Sequence, residues 1–317
     1  MVLRQRVLGN TTIKVSRLCF GALTIGPLQA NLPVREGAKI IRFALESGVN
    51  FIDTAKYYGT YPYIREALKG FNNEVVIVSK SYDYTYEGMR ESVSEAIKEL
   101  GRDYIDIFML HEQESHLTIR GHWDAVKYLL DAKKAGLVRA IGISTHHIAA
   151  VKAAAEIPEI EVIHPLINIK GIGIQDGTVQ EMLQAIELAH SKGKGIYGMK
   201  SLGGGNLLYQ VEKAQEFVLS IDELAAVAVG MRTESEVSYN VKIFSGEPVS
   251  EELTLKVRQQ PRRLHIEEWC ERCGKCVERC QAGALSLEVD KIIVDQSKCR
   301  LCGYCSAVCP QFCIKVI

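Results

Sequence analysis

The stretch Glu74-Val75-Val76-Ile77-Val78-Ser79-Lys80, a helical pattern closing at Gly101, and then Asp106-Ile107-Phe108-Met109-Leu110-His111 form one strand–helix–strand unit. Each apolar run is continuous and stops at a polar residue, as in a strand covered on both faces. Between them Met89, Val93, Ile97 and Leu100 fall on one face of a 3.6-residue period, and Gly101 stands where that helix should end. The same pattern repeats outward from this unit. Apolar runs occur at about 18–22, 50–55, 140–145, 161–167, 194–200 and 226–230, and Val179, Met182, Leu183 and Ile186 mark another helical face. Gly136 and Gly193 stand at further helix ends. Strand starts recur at roughly 30 residues, the length of one strand–helix unit. Eight such units in about 250 residues predict an α/β fold, a parallel (β/α)8 barrel of TIM type. A hairpin over 3–15, with Gly9-Asn10 at its middle, precedes it.

The whole chain has 317 residues, 38 Lys+Arg against 38 Asp+Glu, and 47% apolar residues. A net charge of zero lacks the long-range field that draws in nucleic acid or anionic lipid, so neither is an expected partner. No apolar run reaches the roughly 18 residues of a membrane span, and Met-Val-Leu-Arg-Gln-Arg leads into no secretory h-region, which points to a cytoplasmic protein. The ten cysteines are unevenly placed: Cys19 stands alone in the first 269 residues, and nine fall between Cys270 and Cys313. Reduced thiols at that density read as a metal site rather than a disulfide framework. The expected division is a barrel over 1–245, a polar connection over 246–264 and a cysteine domain over 265–317.

In such barrels the chemistry sits at the C-terminal ends of the strands. Asp53, Lys80 and His111 each end one of three neighbouring strands, and Tyr58 follows Asp53 by five residues. A phenol is a poor acid at neutral pH, but a nearby ammonium favours the phenolate, so Lys80 is expected to lower the pKa of Tyr58. Asp53 would orient Lys80, and His111 would donate to a substrate carbonyl oxygen.

The segments Gly48-Val49-Asn50-Phe51-Ile52-Asp53-Thr54-Ala55-Lys56-Tyr57-Tyr58-Gly59, Val78-Ser79-Lys80, 103–111 and 136–144 closely resemble the aldo-keto reductases, over about residues 3–245. The resemblance implies that Asp53, Tyr58, Lys80 and His111 are catalytic, with Tyr58 rather than Tyr57 as the acid. It also implies an extended NADP or NAD bound without a Rossmann domain, and interconversion of a small carbonyl compound and an alcohol. By the same resemblance Gly21, Ala22, Ser144 and Thr145 lie near the nicotinamide; the family often has Asn where Thr145 stands. Met199 replaces a stacking tyrosine, with core packing as its alternative. Lys200, Leu202 and Gly203 lead into Gly203-Gly204-Gly205, where the backbone can approach a pyrophosphate. Gly230, Met231, Arg232, Glu236 and Asn240 resemble the adenosine-binding turn and helix. Arg232 is placed to pair with a 2′-phosphate, which leans toward NADP, or is simply solvated.

Cys270, Cys273, Cys276 and Cys280 follow an x2, x2, x3 spacing that Cys299, Cys302, Cys305 and Cys309 repeat, ending in Cys309-Pro310. Zinc sites use paired C-x2-C units and need no third cysteine at that interval. The segment resembles bacterial ferredoxins carrying two [4Fe-4S] clusters, with Gln281 in place of the usual proline after the first motif. That pattern implies an α+β ferredoxin-like fold in which Cys309 joins Cys270, Cys273 and Cys276, and Cys280 joins Cys299, Cys302 and Cys305. Cys313 and Cys19 read as buried apolar residues.

Together these readings describe an NAD(P)H-dependent oxidoreductase with an iron-sulfur domain for electron transfer, open to a redox partner protein. A second reading makes the clusters structural or redox-sensing. A third, from another class, is an electron-transfer or redox-sensing protein whose barrel binds nucleotide or partner without turnover. The loop 112–121 and the connection are the expected walls of the substrate pocket.

Overall fold

The computed structural model describes residues 3–317. Residues 1 and 2, where the expected barrel segment and the stretch read as lacking an h-region begin, lie outside the described residues. Strands β1 (Gln5–Val7) and β2 (Lys14–Ser16) pair as an antiparallel hairpin. Eight parallel strands then close into a barrel: β3 (Leu18–Gly21), β4 (Phe51–Asp53), β5 (Val76–Ser81), β6 (Ile105–Leu110), β7 (Val138–Thr145), β8 (Val162–Pro165), β9 (Gly195–Met199) and β10 (Ala226–Gly230), with β10 pairing β3. Every apolar run read from the sequence is one of these strands.

Continuity of the runs follows from their surroundings. Phe51, Val76, Val78, Ile107, Met109, Ala140, Val162 and Tyr197 fill the barrel interior, and the outward side chains pack against the surrounding helices. Helix Tyr86–Leu100 buries Met89, Val93 and Leu100 and ends at Gly101, whose φ of 65° is the left-handed backbone of a C-terminal cap. Helix Val179–Ser191 starts on a capping box made by Thr178 and Glu181. The hairpin plugs the floor of the barrel. Leu8, Ile13 and Val15 join the interior cluster, and Asn10 N donates to Gly193 O at 2.9 Å. Its turn requires glycine: a Cβ on Gly9, at φ 50°, would lie 2.3 Å from Gly195 N.

The connection is more ordered than its polar composition implies. It contains a helix, Glu251–Arg258, N-capped by the Ser250 side chain and burying none of its residues. An apolar stripe is the usual sign of a helix, and this one has only Leu253 and Val257, half-buried on one side, to show. Beyond it, β11 (Leu264–Ile266) pairs antiparallel with β14 (Ile314–Val316), and β12 (Leu285–Leu287) with β13 (Ile292–Val294). A helix at Lys275–Arg279 and a 3-10 turn at Ser306–Val308 complete a small α+β unit around Leu264, Leu285, Ile292, Ile314 and Val316.

This unit sits on the C-terminal end of the barrel. Phe312 packs against Leu166 and Met199, and Asn206 Nδ2 donates to Ile314 O at 3.2 Å. Strand β14 lies so close to the turn after β9 that a Cβ on Gly205, at φ 87°, would fall 2.0 Å from Val316 O. Among the described residues no helix is long and apolar enough to cross a membrane.

Candidate active site and cluster sites

Strands β4, β5 and β6 end at the same mouth, which brings Asp53, Lys80 and His111 together. Lys80 Nζ donates to Asp53 Oδ1 at 2.8 Å and to Thr54 O at 2.9 Å. A tight 3-10 turn at Lys56–Tyr58 folds Tyr58 back over this pair, with its ring centroid 5.1 Å from Lys80 Nζ. The Tyr58 hydroxyl lies 3.3 Å from His111 Nε2, while Tyr57 is half exposed at the chamber edge against Tyr82. The second Asp53 oxygen is also taken: Tyr197 Oη donates to Oδ2 at 2.7 Å, and His164 Nε2 lies 3.6 Å from it. Tyr82 stacks on the His111 ring at 4.3 Å and donates to Glu112.

Burial dominates the electrostatics. It pushes the Tyr58 phenol well above its ordinary value, with the charge of Asp53 adding to the rise. This reverses the direction expected from the sequence, because the Lys80 ammonium is engaged by Asp53 and Thr54 and falls short of offsetting the desolvation of a phenolate. Burial, then Lys80 and Lys200, push His111 well below the usual imidazole range. Burial lowers His164 to about 4 despite the opposing pull of Asp53. Tyr58 is therefore a neutral phenol beside a neutral imidazole, above a buried ion pair.

Asp53, Tyr58 and His111 floor a chamber of about 530 Å³ that runs across the barrel mouth under the C-terminal unit. Asp53, Tyr58, His111 and His164 line one end, Met199, Lys200, Leu202 and Gly204 the middle, and Gly21, Gly230 and Arg232 the other side. Lys80 lies just beneath the floor, 1% exposed. Other residues named from the sequence are turned inward. Ala22 is fully buried. Ser144 Oγ accepts from Glu112 N at 2.9 Å, and Thr145 Oγ1 accepts from His147 N at 2.8 Å. Met231 is buried, Glu236 accepts from Arg232 N at 2.6 Å and pairs with Arg262, and Asn240 Nδ2 donates to Glu236 O. Gly203 closes the turn, and its neighbours Gly204 and Gly205 line the chamber with Lys315 and Val316 packed close against them. Of the expected pocket walls, Glu112 and Arg262 line the chamber, and helix His116–Gly121 does not.

The cysteines form two groups. Cys270, Cys273, Cys276 and Cys309 line one small cavity, and Cys280, Cys299, Cys302 and Cys305 line another. The two halves repeat one backbone shape: Arg272 and Leu301 take φ of 56° and 51°, and Gly274 and Gly303 take 79° and 78°. Backbone N–H groups aim at sulfur in both, Arg272 N at Cys270 Sγ (3.4 Å) and Ala284 N at Cys280 Sγ (3.3 Å). Cys313 also lines the first cavity; the four motif thiols at each, with N–H donors behind them, are a donor set that suits an iron-sulfur cluster. Cys313 is buried with its Sγ 3.3 Å from Cys309 Sγ, and Cys19 is buried within the barrel.

The profile of the Aldo/keto reductase family matches residues 17–218. The chain belongs to the aldo-keto reductase family. The profile of the 4Fe-4S binding domain matches residues 264–286 and 292–315, so this oxidoreductase carries an iron-sulfur domain. L-galactose dehydrogenase of Arabidopsis thaliana is 24% identical over 278 residues, 74% of this chain and 86% of the plant protein. Methylglyoxal reductase DkgA of Escherichia coli is 27% identical over 170 residues, 50% of this chain and 61% of that one. A solved structure of a Pseudomonas aeruginosa protein assigned to the aldo-keto reductases superposes with a TM-score of 0.66 at 26% identity, covering 76% of this chain and 94% of that chain.

Within this aldo-keto reductase the sequence reading missed Tyr197, His164 and Tyr82, which complete the surroundings of Asp53 and His111. It also missed Glu267, Trp269, Lys315 and Ile317, which the iron-sulfur domain lends to the chamber. Tyr197 and His164 did leave a signal, a polar group at an inward position of an apolar strand. The residues from the iron-sulfur domain left none, because their contacts are made across more than a hundred residues of chain.

Proposed function

We propose that this protein reduces a small carbonyl compound with NADPH in the chamber between its barrel and its iron-sulfur domain. The observation that carries the reading is the Tyr58 hydroxyl meeting His111 Nε2 at 3.3 Å above the buried Lys80–Asp53 pair. A nicotinamide dinucleotide, when bound, supplies hydride. The residues fit such a ligand: the chamber is long, cationic groups recur along it at Lys200, Lys315, Arg232 and Arg262, and Arg232 Nε is buried without a partner.

In this reading Tyr58 and His111 hold the carbonyl oxygen of the substrate by hydrogen bonds. Tyr58 releases its proton to that oxygen as charge develops there, since the alkoxide that hydride would leave is buried in the same site and is the stronger base. Lys80 stabilises the phenolate left behind, and Asp53, fixed by Tyr197, keeps Lys80 charged and in place. A phenol held neutral by burial always has its proton to give, which favours reduction over alcohol oxidation. Arg232 and Arg262 at the far end favour the 2′-phosphate of NADPH over NADH. The chain divides as barrel 1–245, connection 246–264 and cluster domain 265–317, with one [4Fe-4S] cluster on Cys270, Cys273, Cys276 and Cys309 and a second on Cys280, Cys299, Cys302 and Cys305.

The test is anaerobic oxidation of NADPH by the cluster-loaded protein across a panel of small aldehydes and ketones, beside Tyr58→Phe. Turnover that falls by about 10²–10⁴ in the variant with nucleotide binding retained is the expected result. Unchanged turnover in Tyr58→Phe would remove the reading.

A further inference from the structure

Two lysines meet in the chamber from opposite sides of the domain boundary. Lys200 follows β9 of the barrel, and Lys315 lies in β14 of the iron-sulfur domain, 4% exposed. Their ammonium groups lie against the same ring, that of Phe312, at 4.9 and 3.2 Å from its centroid. Neither makes a salt bridge among the described residues. Lys200 Nζ contacts His146 Nε2 at 2.9 Å, and Lys315 Nζ donates to Phe312 O. The nearest acids are committed elsewhere: Glu267 pairs with His265, and Glu112 accepts from Tyr82.

Burial lowers both ammonium groups, and the charge of Lys200 adds to the lowering of Lys315. The backbone holds them there at a cost. Lys200 and Phe312 take φ of 59° and 49°, the left-handed region that non-glycine residues seldom enter. Lys315 is fixed by its neighbours as well, since its side-chain carbons fill the space above Gly204. Paired cations with no carboxylate in salt-bridge range among the described residues, lining a ligand-sized chamber, are complementary to an oxyanion.

We propose that Lys200 and Lys315 form an oxyanion clamp spanning the two domains, so that the iron-sulfur domain contributes directly to ligand binding in the barrel. This rests on the proposed function in so far as the oxyanion is the diphosphate of the dinucleotide. A carboxylate or phosphate on the carbonyl substrate has the same chemistry and is the other source.

The test uses the full chain with its clusters loaded under anaerobic conditions. Calorimetry gives dissociation constants for NADPH, NADH and inorganic pyrophosphate with wild type, Lys315→Met, Lys200→Met and Lys315→Arg, and iron content and melting temperature are recorded for each. Loss of one charge-assisted hydrogen-bonding group should weaken pyrophosphate and both dinucleotides by about 10- to 100-fold in either methionine variant, with Lys315→Arg recovering most of it. If dinucleotide affinity holds while KM rises for carbonyl substrates bearing an anionic group and not for neutral ones, the clamp grips the substrate. If Lys315→Met sheds its clusters, Lys200→Met and Lys315→Arg decide, since neither removes a charge from the iron-sulfur domain. Affinities and KM values unchanged in cluster-loaded methionine variants overturn the proposal, and so does a change confined to the cluster potential. Wild type that binds pyrophosphate through the pair and no nicotinamide dinucleotide would keep the clamp and discard the proposed function.

Discussion

Tyr58 and His111 keep fixed protonation states for one reason, the absence of water around them. Burial holds the phenol well above 10 and the imidazole well below 6.5, so neither changes charge near neutrality. The sign is plain for each: the proton on Tyr58 is lost only at strongly alkaline pH, and His111 gains one only at acid pH. Log kcat/KM for carbonyl reduction should therefore be flat between about pH 6 and 9, measured with saturating nucleotide. A limb with an apparent pKa near 7 would show that one of the two titrates in the working enzyme. Tyr197 offers a second check. Tyr197→Phe leaves a buried Asp53 oxygen without its 2.7 Å donor, which should cost about 1–3 kcal/mol of stability in a thermal melt. An unchanged melting temperature would mean that His164 takes over the bond. The four residues read from the sequence were legible because each breaks an apolar run at a strand end or just beyond it. Tyr197 and His164 sit inside such runs, where a large side chain reads as core, and only their shared partner Asp53 gives them meaning.

Elements repeat this division between local and remote signals. The barrel strands were legible because each is buried on both faces and so is apolar without interruption, and the helices between them carry a clear stripe. Helix Glu251–Arg258 was not, since it fully buries no residue; its one clear local sign is Ser250 followed by Glu251-Glu252, a cap with acids in the first turn. The turn Gly203–Gly205 shows a residue type read rightly and its purpose read incompletely. Its glycines allow close backbone approach, and what approaches is β14 of the same chain. Gly205→Ala places a methyl 2.0 Å from Val316 O on a backbone of φ 87°, and neither the turn nor the strand can yield without parting. The variant should fold as a barrel yet release β14, seen as faster proteolytic cleavage in the exposed segment 247–263 and weaker NADPH binding. Protease resistance equal to wild type would show that the turn relaxes without undocking the strand.

At the scale of the molecule the uneven placement of ten cysteines told of two units, and nothing in it told how they meet. The meeting is what matters for function, because Arg262, Glu267, Trp269, Lys315 and Ile317 roof a chamber whose floor belongs to the barrel. A unit of about fifty residues with three-residue strands has too small an apolar core to hold this shape unaided. In the proposed cluster-loaded protein, metal ligation at the two cysteine groups would supply folding free energy to the roof, as it does in other small metal-dependent domains. Stripping iron with an oxidant and chelator should therefore act on the chamber at a distance. The absorbance of the clusters disappears, the roof loosens, and NADPH affinity falls by about tenfold or more, in line with loss of a charge-assisted contact from Lys315. The barrel has its own closed sheet and core, so its far-ultraviolet dichroism and main thermal transition should remain. Reloading iron and sulfide should restore the affinity. Full NADPH affinity in a cluster-free protein would mean that the roof stands without its metals, and that the clusters serve electron transfer alone.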